Sequence, residues 1–238
     1  MSSISSSVLT LNRPRTVSVQ EYTERVIEDL LASLPHTERL SADDRRGILA
    51  RYTAVLEGNF IYWMTGAYLS VASEEARSII LENLREEVRD AHPDMLRRFA
   101  IAANGVPTDS DALAVYGELR DVRLFVGRLS PAPSLAMMAF FESLLQRFMA
   151  FLADLAQRQG SMELEYTDVH GVCDVAHSQG LYRALEIEMT LRKDHERTDL
   201  FEGVELLQTL IRKIVAGPPE VFQQEFGTRS ALGRTECQ

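Results

Sequence analysis

His170, Asp174 and His177 stand four and three residues apart in the run His170-Gly171-Val172-Cys173-Asp174-Val175-Ala176-His177. On a helix of 3.6 residues per turn these positions lie one above another, so two imidazoles and a carboxylate would project into the same space. Such a donor set suits a borderline or hard divalent transition metal. The acid-x-x-His spacing of Asp174 and His177 is also the one that builds dinuclear iron or manganese sites in helix bundles. An amphipathic helix with two satisfied histidines is the plainer alternative, but three ligands in one register favour the metal. A dinuclear site needs more carboxylates, and other segments have to supply them.

Helical periodicity dominates the chain and says where those carboxylates would be. After an arm over residues 1–16, which contains Pro14, the pattern Tyr22, Val26, Leu30, Leu31, Leu34 predicts a helix over 17–34. Ser41 reads as an N-cap with Asp43 and Asp44 in the first turn of a single long helix reaching to about residue 71. Glu57 sits inside that run with Phe60, Ile61 and Met64 at helical spacing, a costly place for a carboxylate unless something pairs with it or ligates it. Ser73 caps the next helix, to about residue 90. Its inward stripe Ile80, Leu84, Glu87, Ala91 turns Glu87 toward the core and Glu86 toward water. His92 then falls in a bend beside Glu87, and Pro93 starts a helix to about residue 105.

Further helices are expected over 111–129, 135–157, 166–191 and 198–215, with the clearest break at the two prolines of 130–134. Helix 135–157 is the most hydrophobic, and Glu142 lies in its middle on the face of Met138, Leu145 and Met149. Phe60, Met64, Met138 and Leu145, one turn from Glu57 or Glu142, are candidates to line a substrate pocket, with plain core packing the equal alternative. The whole reads as one all-α domain over 17–216, a bundle of about seven helices, followed by a tail over 217–238 expected to be disordered. There is no strand-period segment, internal repeat or phosphate-binding glycine loop.

Composition narrows the partners. A net charge of −10 with dispersed arginines argues against nucleic acid and anionic membranes. No apolar run is read as a membrane span, and the Ser-rich start has no basic n-region, so a cytoplasmic protein is the expectation. Cys173 and Cys237 are too differently placed for a structural disulfide.

Glu57, Glu87, His92, Glu142, His170, Asp174 and His177 together provide four carboxylates and three imidazoles, about what two iron ions need while keeping positions open for dioxygen. In this set the chain resembles the haem-oxygenase-like diiron oxidases and oxygenases. Glu57 matches a lone Glu in the first long core helix, and Asn83, Glu86, Glu87 and His92 match an Asn-x-x-acid-Glu segment followed shortly by His. Glu142 matches a Glu in the next hydrophobic core helix, and the His-x-x-x-Asp-x-x-His motif is the most specific element. The similarity covers roughly residues 20–215. One departure is the short Val88-Arg89-Asp90-Ala91 link before His92, where the family often has a Gly-containing loop, so the choice of Glu87 over Glu86 rests on the stripe.

The resemblance implies two ferrous ions that reduce dioxygen to an oxidant of a small amine- or carboxylate-bearing substrate, such as a free amino acid or a fatty acid. The implied reactions are C–C cleavage, desaturation or N-oxygenation, often in specialised-metabolite pathways. It further implies a weakly held iron and a last ligand helix prone to disorder without metal, here expected around Gly171. An amino acid is the preferred substrate, its carboxylate held by an arginine not identifiable from sequence. An external electron donor and a homodimer stay open. Two alternatives remain: a metal-free hydrolase or cofactor-synthesis enzyme of the same fold, for which Cys173 is the only candidate nucleophile, and a non-enzymatic helical metal-binding protein.

Overall fold

A computed structural model gives the fold of residues 18–191 and 199–217; the expected arm over 1–16 and all of the tail but Gly217 fall outside the described residues. The element order is α1 (Val19–Ala32), a 3-10 turn (Thr37–Arg39), α2 (Ala42–Leu56), α3 (Asn59–Ser70), α4 (Glu74–Arg89), α5 (His92–Ala102), α6 (Asp109–Val126), α7 (Pro131–Arg158), α8 (Glu165–Leu191) and α9 (Glu202–Ala216). No strand occurs among the described residues. Polar side chains cap four of the helix starts, those of α1, α2, α4 and α6. Ser18 with Glu21, Ser41 with Asp44 and Thr108 with Asp111 form reciprocal capping boxes, each satisfying two backbone N–H groups that the first turn leaves without intrahelical partners.

The axis of the bundle is α7. Its residues are apolar on nearly every side, and such a helix is stable only when surrounded. It lies along α8 for much of its length, with α1, α2, α3 and α9 packed around the remaining faces. By length and composition α7 is apolar enough to cross a membrane, a correction to the sequence reading, yet 78% of its most apolar window is buried inside the bundle, as in a core helix. It also starts earlier than expected, at Pro131, because both prolines fit the first turn, where no intrahelical N–H is required.

The long helix expected from Ser41 to residue 71 is two helices. Glu57 takes an extended conformation and Gly58 a left-handed one (φ 79°), so the chain kinks between α2 and α3. Glycine bears that φ without the Cβ clash that penalises other residues. On the far side of the bundle, α4 contacts α3, α5 and α8. It lies close to α8 at Gly180, where an added Cβ would come within 3.1 Å of Ile79 Cγ2.

Candidate metal centre

Four helices bring the chemistry together. On α4 the stripe Ala76, Ile80, Asn83, Glu87 is buried, and Glu87 is only 4% exposed at its C-terminal end. Ala91 then adopts a left-handed φ of 56°, which reverses the chain so that His92 becomes the first residue of α5. This non-glycine turn is backbone strain of the kind folds keep where a side chain must be aimed. Its result is His92 Nδ1 at 2.8 Å from Glu87 Oε1, both side chains buried.

His170 reaches the same place from α8. Its ring centroid lies 4.5 Å from that of His92, and one ligand atom each from Glu87, His92 and His170 lie within 4.8 Å of one another. The backbone carbonyl of Tyr166 can only accept, so His170 Nδ1–H donates to it at 2.7 Å, and Nε2 keeps its lone pair. Tyr166 also packs its ring 4.3 Å from the His170 ring and shares a 2.8 Å hydroxyl hydrogen bond with Tyr52 of α2. Burial holds the His170 pKa below its ordinary value, outweighing the Tyr166 carbonyl and Glu87, which act the other way. The imidazole is therefore kept neutral, the form a metal needs.

A second group adjoins the first. His177, two helical turns beyond His170, places Nε2 at 2.7 Å from Glu86 Oε2 and Nδ1 at 3.9 Å from Glu142 Oε2. Glu142 is 1% exposed in the middle of α7. The two groups are near enough for His177 to depress the His170 pKa.

Glu86 corrects the sequence reading. It was expected to face water, but its side chain is only 35% exposed and bonds to a buried histidine. Residues 86 and 87 are about 100° apart around α4, and α4 has neighbours on both sides, so each finds a group to join. Glu57 is the second correction: the kink at Gly58 takes it off the inward stripe, its side chain is 39% exposed, and it accepts from Arg97 Nε at 3.0 Å. The backbone of Asp174 is helical, between His170 and His177 as expected, but its side chain and that of Cys173 fall outside the described residues.

Of the expected pocket residues, Phe60 and Leu145 line a small cavity of about 30 Å3 beside Glu87, His92 and His170. Met64 and Met138 are fully buried core and line neither that cavity nor the cleft beside His177. The Tyr52–Tyr166 pair went unread in the sequence, although Tyr166 stands one helical turn before His170 on the same stripe.

Buried carboxylates against imidazoles are costly without a positive partner, and three carboxylates with three imidazoles in two adjoining groups form a donor set suited to iron. Residues 48–210 match the family model described as "Iron-containing redox enzyme". The chain belongs to this family. It is an iron-dependent redox enzyme of all-α, haem-oxygenase-like fold, and the matched span runs from α2 into α9, taking in every residue of both groups. Among curated proteins no sequence matches it significantly.

Proposed function

We propose that this enzyme is a non-haem diiron oxidase or oxygenase that uses dioxygen on a small amine- or carboxylate-bearing substrate, most simply a free or modified amino acid. C–C cleavage, desaturation and N-oxygenation are the reaction types in view, and specialised-metabolite biosynthesis the setting. What supports this reading is the pairing of two adjoining carboxylate–imidazole groups in one bundle, Glu87 with His92 and His170, and Glu86 with Glu142 and His177.

On this reading the first group holds one iron and the second, completed by Asp174, holds the other. Glu57 would join them only by leaving Arg97. Bound iron supplies the electrons that reduce dioxygen and the oxidising power turned on the substrate, with an external donor restoring the ferrous state. The protein's own part is positional. Tyr166 fixes the tautomer of His170, Glu87 orients His92, and the apolar wall of Leu56, Phe60, Leu96 and Leu145 keeps water from the enclosed side.

Anaerobic titration with Fe(II), followed by metal analysis and stopped-flow absorption on mixing with dioxygen, tests the proposal. Two irons per chain and a transient visible band that a substrate accelerates are expected; one iron per chain, or no reaction with dioxygen, removes the diiron reading. Asp174→Ala should lower bound iron from two to one or none, and retention of both would take Asp174 out of the ligand set.

A further inference from the structure

Helix α6 is apolar on two opposite sides. Val115, Val122, Phe125 and Val126 face inward and are buried where α6 packs on α2, α3 and α9. Opposite them, Leu113, Tyr116 and Leu124 are each more than half exposed. A single exposed leucine is ordinary, but three large apolar side chains in one register form a patch. Leu113, Gly117, Arg120 and Leu124 follow one another at steps of four, three and four, the spacing with which one helix packs along another. Among the described residues no element of the bundle covers this seam.

The seam is complementary to itself when turned end for end. About a two-fold axis between Glu118 and Leu119, Leu113 stands as far to one side as Leu124 to the other, and Gly117 mirrors Arg120. In an antiparallel pair each Leu113 therefore lies on the partner's Leu124, and each Arg120 crosses at the partner's Gly117. A Cβ added at Gly117 would meet no atom within 4 Å, so the space that the long side chain needs is open. A parallel pair would instead set Arg120 against its own copy, like charge on like. The flank is prepared as well. Arg123 Nε donates to Asn59 Oδ1 at 2.7 Å, and its guanidinium lies 5.9 Å from the centre of the Tyr62 ring. The antiparallel register brings the partner's Tyr116 beside that guanidinium, giving an already held cation a second aromatic ring.

We propose that α6 is the interface of a homodimer, antiparallel about a two-fold axis between Glu118 and Leu119. The seam spans about three turns of helix, so the buried area stands near the lower end of specific interfaces, roughly 1,000 Å2 in all, and the dimer is of micromolar strength. The carboxylates and imidazoles of the metal centre sit on α4, α5, α7 and α8, so dissociation leaves iron binding unchanged.

Sedimentation velocity of the full chain over about 1 to 200 µM tests this, with a dimer fraction that rises with concentration as the expected result. Leu113→Glu and Leu124→Lys should each weaken association by about tenfold or more. Both positions are exposed in the single chain, so melting temperature and iron stoichiometry should stay as they were. The two changes combined in one chain should regain about tenfold. On their own helix the new charges stand about 16 Å apart, beyond useful reach of each other, and they meet only across an antiparallel pair. A monomer at every concentration overturns the proposal and leaves the seam to another segment of the chain or to a different protein. A dimer that tolerates both single changes overturns it too, because it is built on another surface. Two weakened single variants with no recovery in the double variant overturn the antiparallel register.

Discussion

The two halves of the centre differ in what surrounds them. Glu87, His92 and His170 are each about 4% exposed, and the aromatic rings of Tyr166, Phe99 and Tyr52 stack behind His170. Glu86 and His177 instead stand at a cleft, and Glu86 is about one third exposed. Packing limits the rotamers of the first half, and the contacts of His92 Nδ1 with Glu87 and of His170 Nδ1 with the Tyr166 carbonyl orient its rings. The second half is open to solvent at Glu86, while His177 beside it is buried. One half is enclosed and the other partly open.

The sharpest way to break that contrast is to remove one carboxylate from each half. Glu87→Ala should abolish iron binding in the enclosed half and with it dioxygen reactivity, whereas Glu86→Ala should weaken iron retention by a smaller factor, about 10–100-fold. Metal analysis across an anaerobic Fe(II) titration separates the two, and equal losses would erase the distinction.

A pH series on the metal-free protein sharpens the same comparison. Burial depresses the His170 pKa in the fold, so the unfolded chain binds more protons there as pH falls. Its stabilising effect is complete above the unfolded value of 6.5 and is lost as pH drops from there through the depressed folded value. Melting temperature should decline between roughly pH 7 and 5. His170→Gln should flatten that decline, and an unchanged slope would place the titration elsewhere.

Smaller effects belong to the outer wall of the enclosed half. Gly58→Ala puts a side chain at a φ of 79° with no atom within 4 Å of its Cβ, so the penalty is backbone strain alone, about 1 kcal/mol by urea denaturation. No loss would mean the kink is not held at that conformation. The least change is expected from Glu57→Gln. Its partnership with Arg97 is solvent-exposed and screened, so the melting temperature should stay near that of the unmodified chain. A large fall would show that Glu57 does more than pair at the surface.

Much of this was legible in the residues because helical geometry is local. The burial of His170 and His177 on α8 and of Glu87 and Glu142 follows from 3.6 residues per turn, and Pro93 in a first turn marks where His92 opens a new helix beside Glu87. The kink at Gly58 was not legible in the same way, since a glycine inside an apolar helical pattern is often tolerated as helix. With the kink went the inward placement of Glu57.

By itself, then, the sequence determined the all-helical class, the starts of most helices and the faces on which five of the six clustered residues lie, because capping and amphipathicity need only near neighbours. Tertiary structure alone decided that adjacent Glu86 and Glu87 serve different groups, that Tyr52 supports His170 through Tyr166, and that Asn83 faces a cleft. Those outcomes depend on which helix stands on each side of α4 and α8. That arrangement is set by how the apolar surface of α7 is covered, and no stretch of the chain carries it alone.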